Sequence, residues 1–160
     1  MNWDIPNKLV TIDTARSKAL IGKLPGKPVT LGDVTIEPLP NSQDWAAITL
    51  TLMEGESFTS KGARILVTAT GNHENTDQKW NDEKKDSVGR NWGKAPSLVE
   101  PIPAKLSWKI GGPRPHVYRL NERGQRDIEL PITQEGDSNI VNVVNIGPQG
   151  RTLWYEIVME

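Results

Sequence analysis

The chain has 160 residues, no cysteine, and a nearly balanced charge of 19 basic and 20 acidic side chains. This length favours a single domain over residues 1–160, large enough to bury a core without disulfide bonds. The missing cysteine excludes a disulfide framework, a thiolate zinc site and a thiol nucleophile. The balanced charge argues against nucleic acid as a partner, and no run of about 20 apolar residues indicates a membrane helix.

Short runs of apolar and β-branched residues, separated by Gly and Pro, predict about ten strands. In chain order they cover residues 8–13, 18–23, 29–31, 34–37, 45–53, 64–70, 104–110, 116–120, 127–132, 140–145 and 152–158. No segment has a convincing helical period. We therefore predict an all-β domain, an antiparallel β-sandwich of Ig-like or jelly-roll type, with one long loop.

Two turn signals leave alternatives open. Gly32 and Asp33 between two short strands predict either a tight hairpin or a bulge in one longer strand. Pro131 within the predicted strand 127–132 indicates an edge strand or a bulge, because proline cannot donate to the ladder.

The tryptophans outside the long loop have different predicted positions. Trp108 is in phase with Leu106 and is expected in the core. Trp154 and Tyr155 are neighbours on one strand and point to opposite faces, so one of them is expected in the core. Trp45 falls out of phase with the alternation that follows it and is expected to be a core or interface residue.

The long loop, residues 71–96, is polar and charged yet contains Trp80 and Trp92. Structureless loops of this length are uncommon in compact domains and are usually functional or disordered. Because disordered segments are poor in aromatic residues, the two tryptophans indicate an ordered surface loop.

Flat apolar rings beside amides, carboxylates and an arginine suit a polar, ring-shaped ligand such as a sugar. We predict Trp80 and Trp92 as the stacking residues. The predicted hydrogen-bonding side chains around them are Asn72, Glu74, Asn75, Asp77, Asn81 and Arg90. The simpler alternative is that the two rings pin the loop onto the sheet, and one ring could anchor while the other stacks.

Oxygen-bearing side chains in residues 72–77 and 81–83, with Glu54 and Glu56, suit calcium, which takes about 6–8 oxygen ligands. Their spacing does not match an EF-hand, and Asn, Asp and Thr equally form turns by bonding their own backbone. The sequence therefore leaves calcium open as a cofactor and defines no set of metal ligands.

No catalytic residue is predicted, and we do not expect an enzyme. His73 and His116 lie in different segments, and neither a G-x-S-x-G nucleophile elbow nor a phosphate-binding glycine motif is present. A pair of carboxylates can always be chosen from 20 acidic residues, so such a pair carries no evidence of glycoside hydrolysis.

Nine segments of the chain carry a family resemblance: residues 11–16, 19–22, 65–71, 74–76, 80–81, 88–96, 99–104, 118–124 and 152–155. They resemble the all-β region that follows the catalytic barrel in large bacterial glycoside hydrolases. The resemblance covers most of the chain, and none of the matching motifs is a catalytic one.

The resemblance implies a non-catalytic carbohydrate-binding module that targets a secreted bacterial hydrolase to plant polysaccharide, with a β-glucan-like ligand. The partners would then be the polysaccharide and the catalytic domain of the same polypeptide. The alternative is a structural β-domain that packs against the catalytic barrel and has no glycan affinity. Because the first residues lack a signal peptide, we expect a module cut from a longer secreted enzyme.

Overall fold

The computed structural model describes residues 1–109, 112–136, 141–147 and 152–160. Within these residues the chain is all-β and contains no helix. It has more strands than the predicted number of about ten. They are β1 (Asn2–Asp4), β2 (Leu9–Asp13), β3 (Ser17–Lys23), β4 (Val29–Leu31), β5 (Val34–Pro38), β6 (Trp45–Glu54), β7 (Arg64–Thr76), β8 (Lys94–Pro101), β9 (Ala104–Lys109), β10 (Pro115–Leu120), β11 (Arg126–Leu130), β12 (Ile132–Glu135), β13 (Val141–Ile146) and β14 (Trp154–Met159).

The strands form two antiparallel sheets. The larger has nine strands in the order β1-β2-β3-β6-β7-β14-β10-β11, with β8 paired to β7, and the smaller has the order β12-β13-β9-β5-β4. In β6 and the first half of β7, buried and partly exposed residues alternate, which gives the larger sheet one inward face. Ile48 and Val67 of that face and Ile36 and Leu106 of the smaller sheet belong to one hydrophobic cluster.

The two turn signals have different outcomes. Leu31 pairs with Val34, so Gly32 and Asp33 form the tight hairpin and not a bulge. The predicted strand 127–132 is wrong, because Pro131 lies between β11 in the larger sheet and β12 in the smaller one. Without an N–H to donate, proline interrupts the ladder at the point where the chain changes sheets. The predicted strand ends Ile110 and Ile140 lie outside the described residues.

The tryptophan predictions outside the loop are largely confirmed. Trp108 and Tyr155 are buried, and Trp154, the neighbour of Tyr155, is partly exposed. Trp45 is not a core residue, because it begins β6 on the outward face and keeps 42% of its surface exposed. Trp45 is out of phase with the buried residues of β6, so its side chain points away from the core.

The predicted long loop is shorter than expected. Strand β7 continues to Thr76 and β8 begins at Lys94, so residues 77–93 alone form the loop between them. We call residues 71–101, comprising the distal part of β7, this loop and β8, the arm. Every residue of β8 except Glu100 is exposed, so the arm lies outside the hydrophobic core.

The arm begins where β7 changes partner. Thr68 pairs with Trp154 of β14, whereas Thr70 pairs with Pro101 of β8. Gly71 allows the backbone of β7 to pass close to the Ile102 side chain, because a Cβ at this position would lie 2.4 Å from Ile102 Cδ1. Glu100 adds a tie to the body of the domain, accepting hydrogen bonds from the Ser42 backbone N–H at 2.9 Å and the Ser42 hydroxyl at 2.8 Å.

Candidate ligand-binding site

Trp80 is fixed by its own polar edge. Its indole N–H donates to Glu74 Oε1 at 2.8 Å across the start of the loop. Lys85 Nζ lies 5.9 Å from the centroid of the ring and 3.4 Å from the same carboxylate oxygen. The ring therefore lies beside both a carboxylate and a cation, and Trp80 serves as an anchor of the loop.

The Glu74 carboxylate accepts hydrogen bonds from several side chains of the arm. Besides Trp80, Asn72 Nδ2 donates to its Oε1 at 3.3 Å. These two hydrogen bonds, led by that of Trp80 and assisted by Lys85, lower the pKa of Glu74 below its ordinary value against a smaller opposing effect of desolvation. The lowered pKa means that these contacts favour the ionised carboxylate, which is the form that accepts the Trp80 N–H.

Asn75 fixes the far end of the loop. Its Nδ2 donates to the carbonyl oxygen of Trp92 at 2.9 Å, and its Oδ1 accepts the Ser97 hydroxyl at 2.7 Å. Its backbone N–H donates to Gln78 Oε1 at 3.2 Å. The Asn75 side chain on β7 is therefore bonded both to Ser97 of β8 and to the backbone of Trp92, which lies just before β8 begins.

Backbone hydrogen bonds close the loop across its width. The Lys79 N–H donates to the Asn91 carbonyl at 3.1 Å, and the Asn81 N–H to the Ser87 carbonyl at 2.9 Å. Val88 of the same loop is buried, and its carbonyl accepts the Asn91 N–H at 2.8 Å. The loop is therefore an ordered element with a small apolar anchor of its own.

Trp92 is the exposed ring of this loop. It keeps 65% of its surface exposed although its carbonyl is held by Asn75. Arg90, two residues earlier, and Asn81 also expose their side chains, and within the described residues neither side chain makes a hydrogen bond or ion pair. Asn81 lies against Gly89, since a Cβ on that glycine would be 2.9 Å from Asn81 Oδ1.

The structure divides the eight predicted ligand-binding residues into two groups. In five of them the polar side-chain atoms form hydrogen bonds or ion pairs with other residues of the arm: Asn72, Glu74, Asn75, Asp77 and Trp80. Asp77 belongs to this group because it forms an ion pair of 2.7 Å with Lys94. Three remain exposed and available to a ligand, namely Trp92, Arg90 and Asn81. Sequence reasoning missed Lys85, whose run of mixed charges is typical of a solvated surface.

Two of the carboxylates considered for calcium already have partners. Asp77 is paired with Lys94, and Glu54 Oε1 lies 2.6 Å from Arg64 Nη1 at the opposite end of β7. In the part of the chain that the structure describes, no three His, Asp or Glu side chains are grouped closely enough to hold a metal ion. The two histidines lie apart, His73 exposed on the arm and His116 on β10 with its Nδ1 at 2.7 Å from Glu129.

A second surface was not predicted from the sequence. The outer face of the larger sheet, which points away from the smaller sheet, carries two rows of paired residues, since residues opposite each other in an antiparallel ladder share a face. The first row is Trp3, Val10, Ile21, Ala47 and Thr70, and the second is Ile12, Ala19, Thr49, Thr68 and Trp154. Trp45 stands beside the first row, paired with Lys23.

Comparisons of this chain with protein-family models, with curated proteins and with solved structures gave no match. Across the described ranges, the structure has no helix of the length and apolarity that a membrane crossing needs.

Proposed function

We propose that this chain is a non-catalytic carbohydrate-binding module that binds a neutral plant polysaccharide of the β-glucan kind through Trp92. The observation that carries the proposal is the contrast between an exposed ring and a fixed backbone at this residue. An exposed tryptophan on an ordered polar loop offers the flat apolar surface on which the face of a sugar ring can stack.

The hydrogen-bonding groups beside Trp92 complete the proposed site. Arg90 offers guanidinium donors, and the side-chain amide of Asn81 offers both a donor and an acceptor to sugar hydroxyls. Because the loop is already closed by hydrogen bonds, binding would cost little ordering of the chain. Glu74, Asn75 and Trp80 act in this proposal as positioning residues that hold the loop and do not touch the ligand.

One exposed ring and two polar side chains imply weak binding per module. Linkage to a catalytic domain would raise the effective concentration of that domain at the polysaccharide surface. We accordingly propose a secreted bacterial glycoside hydrolase as the parent protein. For the fold type, we propose an Ig-like or jelly-roll sandwich. The shared hydrophobic cluster of the two sheets supports the sandwich assignment.

The alternative function is a structural β-domain that packs against another protein and has no glycan affinity. The outer face favours it, because Trp3, Trp45 and Trp154 are exposed there and tryptophan is enriched among residues that anchor interfaces. In this alternative Trp92 would be a surface residue without a ligand.

Affinity gel electrophoresis against soluble polysaccharides, with pull-down by insoluble ones, separates the two functions. We expect retention by at least one neutral glycan, little change with salt because the net charge is −1, and loss of retention in Trp92→Ala. Trp3→Ala is the matched control, because it removes an equally exposed ring from a different surface.

Wild-type protein that passes unretarded through every glycan would overturn the carbohydrate proposal and favour the structural alternative. Retention that survives in a folded Trp92→Ala variant would move the site away from the arm. A repeat with chelator tests calcium, since loss of retention there would require a metal in the site.

A further inference from the structure

We propose that the cleft between the β1–β2 turn and the segment after β3 binds an acidic sugar, a pyranose that carries a carboxylate. The cleft has a volume of about 440 Å³, within the usual range for small-molecule sites. Three lysines and one carboxylate line it, namely Lys8, Lys23, Lys27 and Asp4. Its lining comes from residues 4–9 and 23–27 and not from the arm, so the proposal does not depend on glycan binding through Trp92.

Backbone contacts hold the two walls of the cleft together. The Lys8 carbonyl accepts the Lys23 N–H at 3.0 Å, and the Lys8 N–H donates to the Ile5 carbonyl at 3.1 Å, which closes the turn. A Cβ on Gly22 would collide with the same Lys8 carbonyl, so the approach of the two walls requires glycine at this position. Because the walls are fixed before a ligand arrives, binding costs little ordering of the chain.

Lys8 has a backbone conformation that lysine rarely adopts. Its φ is 54°, in the left-handed region that glycine and asparagine occupy more readily. Strained residues of this kind cluster at binding and active sites. The turn itself does not require a lysine here, and what the side chain adds is an exposed ammonium group at the cleft.

Two of the three ammonium groups are available to a ligand. Lys8 and Lys27 are exposed, and within the described residues neither side chain makes a hydrogen bond or an ion pair. Lys23 Nζ lies 3.7 Å from Asp44 Oδ2, but these side chains are 59% and 62% exposed, and so open an ion pair contributes little. The three lysines, set against Asp4 and Asp44, leave the cleft with a net charge of +1.

The remaining lining residues favour a sugar ring over a bare anion. Apolar surface, on which the C–H face of a pyranose can rest, comes from Pro6, Leu9, Leu24 and Pro25. Asp4 accepts the Asn7 backbone N–H at 3.2 Å and its side-chain amide at 2.8 Å. The other lone pairs of this carboxylate can accept sugar hydroxyls, while the carboxylate of the sugar meets the ammonium groups.

Amide NMR shifts of the whole chain, titrated with glucuronate at low salt, test this proposal. We expect shifts at Lys8, Leu24 and Lys27 that fit a dissociation constant of about 1 mM, a weak affinity suited to a few exposed charges. Glucose has the same ring without the carboxylate and should shift these amides far less. Sodium chloride at about 300 mM should weaken glucuronate binding, because salt screens exposed charges.

Lys8→Asn removes one charge and suits the turn, because asparagine tolerates the left-handed conformation. Lys8→Asn and Lys27→Gln should each weaken glucuronate binding about two- to fivefold, as expected for one exposed ion pair, and together about tenfold. Lys61→Asn is the matched control, since Lys61 is exposed in the turn before β7 and outside the cleft, so that its replacement should leave binding unchanged.

Thermal unfolding should show Lys8→Asn at least as stable as the wild type, so that weaker binding cannot reflect unfolding. Amides that do not move with glucuronate up to about 20 mM, or that move equally with glucose, would overturn the proposal. Equal affinity for acetate, which carries the charge without the ring, would also overturn it. Glucuronate binding that survives Lys8→Asn and Lys27→Gln but is lost in Trp92→Ala would move the ligand to the arm.

Discussion

Replacing Trp80 by phenylalanine tests whether the loop of the arm depends on one indole hydrogen bond. Trp80→Phe keeps an aromatic ring near Lys85 and removes the N–H that Glu74 accepts at 2.8 Å. A hydrogen bond to a charged group contributes about 1.5–3 kcal/mol. Because 30% of the Glu74 side chain is exposed, water recovers part of this, and we expect a loss of about 1–2 kcal/mol.

This loss should appear as local opening of the loop. The arm lies outside the hydrophobic core, so its opening does not require unfolding of the two sheets. A change of about 1–2 kcal/mol corresponds to roughly 5–30-fold in an equilibrium constant. Hydrogen exchange of the Lys79, Asn81 and Asn91 amides should therefore accelerate by roughly that factor, while amides of β6 and β14 keep their rates.

The matched control is Trp92→Phe, which makes the same substitution at a ring that is 65% exposed and whose indole N–H has no partner in the described residues. Its exchange rates should equal those of the wild type. Unchanged protection of the loop in Trp80→Phe, or equal acceleration in both variants, would refute the anchoring role of Trp80.

Two further substitutions test the body of the domain and the end of the loop, where the chain enters β8. Glu156→Gln should lower the free energy of unfolding by about 2 kcal/mol at pH 7, because the buried carboxylate accepts Arg64 Nε at 2.8 Å and Arg126 Nε at 2.5 Å. Burial raises the pKa of Glu156, but the hydrogen bonds and charges of Arg126 and Arg64 outweigh it and lower the pKa overall. The difference in urea unfolding should thus persist above about pH 4.3 and shrink as the pH falls further; growth on acidification would contradict it. Gly93→Ala should disorder the loop and weaken glycan retention, because the new Cβ would lie 2.4 Å from the Thr76 carbonyl oxygen at a φ of 73°, whereas Gly26→Ala, at φ 64° with open space around it, should leave retention unchanged.

Strand phase was enough to predict much of the core. In β6 the alternation of Ile48, Leu50 and Leu52 with threonines shows directly in the sequence, and all three face inward. Trp108 follows the same logic within β9. These predictions succeed because one face of each strand is buried, which imposes a period of two on side-chain polarity.

The arm breaks this logic. The distal part of β7 and almost all of β8 are solvent-accessible, so neither strand needs an apolar face, and both look like loop in the sequence. The split at Pro131 was missed for a related reason, since residues 127–132 keep strand-like composition while the chain passes from one sheet to the other.

The composition of the candidate site was predictable, but the roles of its residues were not. Asn75 and Trp92 are 17 positions apart, and only the pairing of β7 with β8 brings the amide of one to the carbonyl of the other. Likewise, nothing in the sequence distinguishes Trp80, whose indole N–H finds a carboxylate, from Trp92, whose ring stays open. The same dependence on register hides the outer face, whose three tryptophans come from β1, β6 and β14.

The most direct test of the central claim is a glycan titration followed by NMR at the indole N–H groups. The six tryptophans give six signals, and that of Trp92 is assigned as the one lost in Trp92→Phe. We predict that a retained polysaccharide, added as short soluble oligosaccharides, shifts the Trp92 signal strongly and leaves that of buried Trp108 in place. Binding that leaves the Trp92 signal unmoved, or a set of neutral glycans that moves no signal, would contradict the account.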